Sequence, residues 1–509
     1  MGRSGERSVH AVADDGRAAA PAPPAPPSGT TADVAAFRRA LDAAEFTTAS
    51  VRSALDADNV LLSKPHEIAV HDRRLAAAPA ALATLVRLFA VDVPVQPDDA
   101  DRALPGFGAE GLRRLGLAGE AAGLLRGFVH LVPHDEFLVA SDKAGAGGAD
   151  HVAGVQLPSA TLSNLTVRRP VARALDVGTG CGVQAIHAAR HCDHVLATDV
   201  NERALAFAEF NAALNGVDNV EFRAGSFFEP AGDERFDLVV CNPPYVISPE
   251  STLVYRDSGL PGDTVSAELV AALPSYLEEG GFGSIMISWI AGEDTTLRPR
   301  AWLEGRGCDA WILHSATNTP LQAAAAWTAA AGTEPESYAE RLDAWLEYYT
   351  RLGVEAIAYG AVIVHRRTGG RNWIRAAELP GGRLNPASDH LLQLFAAQKL
   401  LAATPAEALL DRRFTLVGHA YFDRTARVES GAWTETSAAV RLAEGIAFGV
   451  NLDRYGAVVV TALDGAEPIR DRLGPLAAEL GVPETELAAF AAQLLRHLVE
   501  HGFAVPADG

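Results

Sequence analysis

Short apolar runs alternate with stretches of helical periodicity from Ala174 to about Glu378. The runs "ALDVG", "HVLATDV", "VEFRAG" and "FDLVVCN" have the length and composition of buried strands, while "GVQAIHAARH" and "ERALAFAEFNAALNG" between them have helical spacing. Strands that alternate with helices in this order are typical of a parallel α/β sheet. We therefore predict a Rossmann-like α/β fold for this part of the chain.

The end of this region has a different pattern. The segment "EAIAYGAVIVHRR-TGGRN-WIRAAEL" consists of a strand, a glycine turn and a second apolar strand. A turn of this kind between two strands predicts a β-hairpin. A hairpin would make the last strand antiparallel to an otherwise parallel sheet.

The pattern divides the 509-residue chain into four regions. Residues 1–30, rich in Ala and Pro, predict a disordered tail, and residues 31–142 predict a mainly helical domain of winged-helix type. The glycine-rich "KAGAGGADH" predicts a linker before the α/β domain at 150–380. Residues 381–509 predict an α+β accessory domain, also winged-helix-like, with β-rich sequence from Phe414 to Val460 and two helices near the end.

Composition narrows the class of protein. The net charge of −21 disfavours broad binding to nucleic acid, although one exposed base could still be recognised locally. The four cysteines lack CxxC spacing, so we expect neither a zinc site nor a disulfide framework and predict a reducing cytoplasm. No apolar run approaches the roughly 18 residues of a membrane span, so no membrane partner is expected. The sequence does not set the oligomeric state.

A glycine loop, "ALDVGTGCGVQA", connects the first predicted strand to a helix. Its spacing, D-x-G-x-G-x-G, starts at Asp176 and differs from the dinucleotide fingerprint, which would place its third glycine where Val183 stands. Asp199 ends the next strand, at an interval suited to accepting hydrogen bonds from ribose hydroxyls. We expect Asp176 to orient the loop and a ligand ammonium group, which favours S-adenosylmethionine over a pyrophosphate cofactor.

The stretch "VVCNPPY" ends the fourth strand abruptly. Pro243 and Pro244 stop the strand, because proline cannot donate to the sheet and restricts its neighbours. We expect the Asn242 side-chain carbonyl and the Pro243 main-chain carbonyl to remain unpaired, so that they can hold the N–H groups of an acceptor. Tyr245 would offer an aromatic face to a planar acceptor.

At these motifs the sequence resembles class I S-adenosylmethionine-dependent methyltransferases of the small-domain group. That group includes release-factor glutamine-N5 methyltransferases and adenine-N6 and guanine-N2 enzymes that act on RNA. The resemblance covers Ala174 to Val246 and depends on the segments "LDVGTGCGVQAIHAA", "ATDVNERALAFAEFNAALNGV", "RAGSFFEP" and "FDLVVCNPPYV".

The resemblance implies a seven-stranded sheet with an antiparallel last strand and S-adenosyl-L-methionine as cofactor. It implies cofactor contacts from Asp176, Gly178, Thr179, Gly180, Gly182, Asp199, Val200, Asn201, Ser226, Phe227 and Asn242, and catalytic acceptor contacts from Asn242, Pro243, Pro244 and Tyr245. Ser226 stands where many relatives have an acidic residue, and serine is a weaker acceptor for the adenine amino group.

Several acceptors remain open at this point. A protein glutamine is preferred because the chain is acidic, with adenine-N6 of RNA or DNA next and a small molecule third. A catalytically silent scaffold is a further alternative. The loop "VISPESTLVYRDSGLPGDT" after Tyr245 offers Tyr255, Arg256 and Asp257 as weak acceptor-binding candidates, which we expect to be solvent-facing. The histidines of "HAARHCDH" are expected to pack or to face solvent rather than to bind a metal.

Overall fold

The computed structural model of the chain describes residues 24–57, 67–143, 148–330, 335–381 and 384–507. Most of the expected disordered tail (1–23) and the centre of the expected linker (144–147) lie outside these ranges. The proposed domain boundaries remain predictions.

The first described region is mainly helical. Its helices and strands are α1 (Thr31–Ala43), α2 (Thr48–Leu55), α3 (Ile68–Arg74), α4 (Ala80–Phe89), α5 (Pro97–Ala103), α6 (Gly108–Arg114), β1 (Ala118–Ala121), β2 (Leu124–Gly127), β3 (Val129–His134) and β4 (Phe137–Asp142). Strands β1 and β2 form one antiparallel hairpin and β3 and β4 another. Thr30 and Thr47 cap α1 and α2 by accepting a main-chain N–H, as expected for threonine at a helix start.

The central region forms the α/β unit. Its elements are α7 (Leu157–Leu165), β5 (Val171–Val177), α8 (Val183–Ala189), β6 (Cys192–Asp199), α9 (Glu202–Leu214), β7 (Val220–Ala224), β8 (Phe236–Cys241), α10 (Thr264–Ala272), β9 (Leu277–Ala291), α11 (Leu297–Leu303), β10 (Cys308–Asn318), α12 (Pro320–Ala330), α13 (Pro335–Arg351), β11 (Ala356–Arg366) and β12 (Ile374–Glu378). Along the chain the helices alternate with strands, which confirms the Rossmann-like α/β prediction.

Within the described residues this sheet has eight strands rather than seven, in the order β12-β10-β11-β9-β8-β5-β6-β7. Strand β11 is antiparallel to both of its neighbours, β9 and β10, and the other pairs are parallel. Strand β5 lies between β6 and β8, so the chain order reverses at β5. Ligands bind at such a reversal in open α/β sheets.

The predicted hairpin at the end of this region is wrong, because β12 pairs with β10 and not with β11. The carboxylate of Asp309, at the start of β10, accepts hydrogen bonds from the Arg367 guanidinium at 2.6 and 2.9 Å and from the Trp373 main-chain N–H at 3.1 Å. These bonds hold the connection across the end of β10. The strand therefore continues on the far side of β10 and adds the eighth strand.

The last described region is α+β. It contains α14 (Ser388–Ala403), α15 (Ala406–Leu409), β13 (Phe414–Leu416), β14 (Ala420–Glu429), β15 (Ala432–Leu442), β16 (Gly449–Leu452), α16 (Arg454–Thr461), α17 (Ile469–Leu480), α18 (Glu484–Glu500) and β17 (Ala504–Pro506). Strands β14, β15 and β16 form a separate antiparallel sheet. The winged-helix assignments of the first and last regions stay predictions.

The hydrophobic cores are continuous across the expected boundaries. One cluster joins Phe37 and Leu85 of the first region to Ile186 of α8 and Phe207 of α9. Another runs from the α/β sheet into the last region. Both flanking regions therefore pack directly on the central unit. Among the helices that the structure describes, none is long and apolar enough to cross a bilayer.

Candidate functional site

A cavity of about 370 Å³ opens at the carboxyl ends of β5, β6 and β8. Most of the residues that the sequence predicts for the site line it. They are Gly178, Thr179, Gly180, Asp199, Val200, Asn201, Ser226, Phe227, Asn242, Pro243, Pro244 and Tyr245. The structure thus brings the glycine loop, the end of β6 and the NPPY stretch to one cavity, where β5 reverses the order of the sheet.

The glycine loop exposes its backbone to the cavity. Gly178 and Gly180 have φ angles of +69° and +56°, and no described atom lies within 4 Å of the position that a Cβ would take at either residue. Such φ angles strain residues with side chains, and the open space lets a ligand approach the main chain. Gly182 differs, since its Cβ would lie 2.9 Å from Ala208 on α9. Gly182 is needed for helix packing and does not line the cavity.

Asp176 lies beneath the loop and does not line the cavity; only 1% of its surface is exposed. Its Oδ2 accepts hydrogen bonds from the Thr179 hydroxyl at 2.6 Å and the Ala185 N–H at 2.9 Å. Its Oδ1 is buried, with no hydrogen-bond partner among the described residues. Burial raises the pKa of Asp176 to about 7. Asp176 therefore holds the loop from below.

Asp199 joins the glycine loop to the end of β6. Its two carboxylate oxygens accept the Gly180 N–H and the Asn201 N–H, each at 2.9 Å. Burial raises the pKa of this carboxyl above its usual range, against the effect of these bonds. Each oxygen keeps a further lone pair, so Asp199 can still accept hydrogen bonds from a ligand that enters the cavity.

The neighbouring predicted residues lie along the same wall. Asn201 caps α9 by accepting the Arg203 N–H at 3.0 Å and donates from its amide to the Asp150 carbonyl at 2.8 Å. Val200 is 60% exposed. Phe227 has a φ of +46°, and its carbonyl accepts the Thr198 hydroxyl at 3.2 Å. Asn201 therefore ties the segment after the linker to the start of α9.

Asn242 lies opposite the glycine loop. Its amide Nδ2 donates to the Ser159 hydroxyl at 3.2 Å, and its Oδ1 is buried with no hydrogen-bond partner in the described part of the chain. The Gln184 side chain donates to the Ser159 carbonyl at 2.7 Å, which fixes the start of α7 against α8. With Nδ2 engaged by Ser159, Oδ1 is left as an acceptor without a partner among the described residues, on a residue that lines the cavity.

The rest of the NPPY stretch departs partly from expectation. The Pro243 carbonyl was expected to be unpaired, but it accepts the Tyr245 N–H at 2.8 Å. This is a tight turn across one residue, and it leaves the carbonyl one free lone pair. The Tyr245 carbonyl accepts the Ser288 hydroxyl. Burial raises the pKa of the Tyr245 hydroxyl well above its usual value, so the ring stays neutral.

The loop after Tyr245 is held by an ion-pair network that the sequence did not predict. Arg256 was expected to be solvent-facing, but it is 4% exposed and pairs with Asp257 at 2.7 Å and Glu250 at 2.6 Å. Glu250 also accepts from Arg341 of α13 at 2.7 Å, and from the Trp345 indole at 3.3 Å. Hydrogen bonding to Arg341 is the main cause that lowers the pKa of Glu250 to about 2.

Further lining residues come from segments far from the motifs. Trp327 of α12 lines the cavity, and its indole N–H donates to the Tyr359 hydroxyl at 3.4 Å. Ser159 and Gln184, described above, also line it. One weak signal for them is the helix start at "QLPSATLSNL", which precedes β5. No motif near Trp327 identifies it as a site residue, because the packing partners of α12 lie far away in the sequence.

Cys181 and Cys241 are both buried near the cavity. Burial raises the pKa of Cys181 to about 11 and that of Cys241 well above its usual value. Since only a thiolate is a good nucleophile, both residues act as packing groups.

Three family models match the chain. Residues 156–287 match the methyltransferase small domain, residues 43–127 match a domain of unknown function (DUF7059), and residues 393–506 match another (DUF7782). The first match contains the glycine loop, Asp199 and the NPPY stretch.

Curated relatives match part of the chain. The release factor glutamine methyltransferase of Xylella fastidiosa is 36% identical over 135 residues, which are 24% of this chain and 48% of that protein. The ribosomal protein uL3 glutamine methyltransferase of Bradyrhizobium diazoefficiens is 36% identical, over 22% of this chain and 39% of that protein. The ribosomal protein L11 methyltransferase of Lactobacillus johnsonii is 36% identical, over 21% and 34%.

The chain spans half or less of the length of these three relatives. The small-domain match at residues 156–287 includes most of the cavity lining but not Trp327. Residues 156–287 thus match the methyltransferase small domain, and they include the strands β5, β6 and β8 around which the sheet order reverses.

Proposed function

We propose that this protein transfers a methyl group from S-adenosylmethionine to a planar amide nitrogen, the N5 of a glutamine side chain in a protein substrate. The observation that carries the proposal is the Asn242 Oδ1 atom, a buried acceptor to which no described group donates. Leaving a buried acceptor unsatisfied costs about 1–3 kcal/mol. An N–H donor from a bound substrate would satisfy it.

The side of the cavity formed by the glycine loop and Asp199 fits the cofactor. Gly178 and Gly180 leave the loop backbone open for an amino-acid moiety, and Asp199 retains lone pairs for ribose hydroxyls. Ser226 and Phe227 line the wall where the adenine would lie. When bound, S-adenosylmethionine supplies an electrophilic methyl group on a sulfonium centre. Asp176, buried below the loop, would act on the ligand only through the loop.

The residues that would bind the methyl acceptor can compensate for the poor nucleophilicity of an amide nitrogen. An amide nitrogen delocalises its lone pair, so the protein must orient it. Asn242 Oδ1 and the free lone pair of the Pro243 carbonyl can each accept one N–H of the acceptor, which would direct the nitrogen lone pair towards the methyl group. With the cofactor bound, Asn242 and Pro243 would hold the nitrogen in line for transfer of the methyl group from sulfur to nitrogen, and the proton that the nitrogen loses would pass to water.

Tyr245 contributes its ring rather than a base. The raised pKa of its hydroxyl keeps the phenol protonated at physiological pH, so it cannot remove the proton of the acceptor. Its aromatic face can pack against a planar amide. Trp327 lines the same cavity and offers a second aromatic surface.

A protein acceptor is favoured over nucleic acid for two reasons. The net charge of −21 opposes a polyanionic substrate. In addition, the relatives from Xylella and Bradyrhizobium are named for glutamine methylation of a release factor and of ribosomal protein uL3.

The purified protein can be tested with methyl-labelled S-adenosylmethionine and fractionated lysate from cells that lack the chain. We expect label in the protein fraction, and N5-methylglutamine after digestion and mass spectrometry. The Asn242→Ala variant, treated in the same way, controls for contaminating enzymes. Label confined to RNA or to small molecules would overturn the glutamine assignment, and no label in any fraction would overturn the enzyme assignment.

A further inference from the structure

A second group of polar side chains lies outside the cavity, where the turn between β3 and β4 meets helix α8. It contains His134 at the end of β3, Asp135 from the turn and His187 from the helix. One ligand atom from each residue lies within 4.8 Å of the other two. We propose that these three residues bind a divalent transition-metal ion of the zinc class.

The distances between the donor atoms are close to those of a metal site. The Asp135 Oδ2 atom lies 3.8 Å from His134 Nε2 and 3.7 Å from His187 Nε2. A tetrahedral ion with ligand bonds of about 2.0–2.2 Å places its ligand atoms roughly 3.3–3.6 Å apart. Small side-chain shifts would therefore close the three atoms around an ion.

His187 is an independent indication that a ligand belongs here. Its side chain is 7% exposed, and no group in the described ranges forms a hydrogen bond with its Nε2 atom. That atom faces the Asp135 carboxylate without a hydrogen bond between them. A metal ion would satisfy this buried nitrogen as a hydrogen-bond donor would.

The surroundings suit a metal site that protein covers on its inner side and solvent reaches on its outer side. The Phe137 ring packs edge-on against His187 with ring centroids 4.7 Å apart, and the Asp135 side chain is 35% exposed. Solvent can thus reach the site past Asp135, and water can complete the coordination. Two imidazoles and one carboxylate favour zinc, cobalt or nickel over magnesium and calcium, which prefer oxygen ligands.

The location gives the ion a structural role. His134 and Asp135 belong to the first region, whereas His187 lies on the helix that follows the glycine loop. An ion bound to all three would clamp the β3–β4 hairpin onto α8 and restrict the movement of the loop. The proposal differs from the sequence-based expectation that His187 only packs, because the sequence alone does not place His134 and Asp135 beside it.

The test uses the full chain without a histidine tag, stripped with a chelator, reloaded with zinc and passed over a desalting column. We expect about one zinc per chain by elemental analysis and a higher thermal midpoint with zinc than without. With cobalt, we expect visible absorption of a four-coordinate ion without the intense sulfur-to-metal band of a cysteine site.

Two variants test the ligands and one serves as a control. Asp135→Asn keeps the size of the side chain and suits the φ of +51° at this position, because asparagine tolerates a left-handed backbone. We expect Asp135→Asn and His187→Ala each to weaken zinc binding at least tenfold. His191→Ala, which changes a half-buried histidine four residues further along the chain, should bind zinc within about twofold of the wild type.

Two results would overturn the proposal. One is a wild-type chain that retains far less than one zinc after loading. The other is an Asp135→Asn variant that folds, by circular dichroism, and binds zinc as tightly as the wild type. If His187→Ala fails to fold, the Asp135→Asn result decides alone, because Asp135 lies on an exposed turn.

Discussion

The two sides of the cavity are built from contacts of very different sequence range. On the cofactor side, the hydrogen bonds of Asp176 and Asp199 join residues that are 2 to 19 positions apart. On the acceptor side, Asn242 bonds to Ser159 across 83 positions and Glu250 bonds to Arg341 across 91. The carboxylates of the cofactor side are thus held within one strand–helix–strand segment, whereas the acceptor side depends on contacts across the α/β unit.

The two sides have different tasks: cofactor binding is common to the group, whereas acceptor binding is specific to one substrate. The cofactor side must hold the same ligand in every enzyme of the group, and a compact motif suffices for it. The acceptor side must fit one substrate, and here it includes α12 and α13, which lie between β10 and β11. These helices pack on the residues after the NPPY stretch through Ala323 of α12 and Trp345 of α13. We therefore expect changes on the two sides to separate cofactor binding from acceptor use.

The Asn242→Ala variant should have the largest effect. It removes the acceptor that orients the substrate nitrogen, so we expect the rate of methyl transfer to fall by about 10²–10³, the loss typical of one transition-state hydrogen bond. The affinity for S-adenosylmethionine should change by less than about threefold. Methyl transfer is measured with the label assay and cofactor binding by calorimetry.

A matched control removes the bond to Nδ2 while keeping Oδ1. Ser159→Ala does so, and we expect it to reduce the rate less than Asn242→Ala. Equal losses of cofactor affinity and rate in Asn242→Ala would contradict the division between the two sides.

The glycine loop was predictable because its geometry is local. The D-x-G-x-G-x-G spacing requires positive φ angles in a tight turn, and Gly178, Gly180 and Gly182 all have them. The interval to Asp199 likewise follows from one strand, one helix and one strand. Only the depth of Asp176 differs, because spacing along the chain does not report how far below a loop a side chain lies.

The Asp176→Asn variant should change how stability depends on pH. The folded protein holds this carboxyl at a pKa of about 7, against 3.8 ordinarily, so between about pH 4 and 7 the folded state keeps a proton that the unfolded state has lost. This contribution to the free energy of unfolding is complete at about pH 4 and disappears as the pH rises through 7. One pKa unit is about 1.4 kcal/mol, which sets an upper limit of roughly 4 kcal/mol for the loss.

Denaturant titrations at pH 5 and pH 8 measure the effect. The asparagine cannot ionise, so the stability of Asp176→Asn relative to the wild type should increase from pH 5 to pH 8. Asp193→Asn, at an exposed position, should show no such increase. If the difference in unfolding free energy between Asp176→Asn and wild type is the same at both pH values, ionising the buried carboxyl costs the cofactor side no stability.

The acceptor side was harder to predict because its partners are remote. Arg256 follows a polar loop sequence, which favours exposure, but Glu250 and Asp257 pair with it and allow its burial. The same reason explains the missed eighth strand. The residues "TGGRN" are typical of a hairpin turn, and remote contacts redirect them, with Asp309, about 60 positions earlier, and with Glu279. Short-range patterns do not contain this information.

The Glu250→Gln variant should have the smallest effect and only on the acceptor side. The change removes a charge that pairs with Arg256 and Arg341, so we expect the free energy of unfolding to fall by about 1–2 kcal/mol, less than for a fully buried pair because Glu250 is partly exposed. The loop that carries Arg256 should loosen, which should raise the KM for the acceptor by up to about tenfold. The cofactor affinity should not change, since no residue of the glycine loop contacts this network.

Glu347→Gln, an exposed change of the same charge on α13, should leave the stability and both constants unaltered. A loss of cofactor affinity in Glu250→Gln would mean that the two sides are coupled through the NPPY stretch, and the comparison would then have to be replaced by one continuous site.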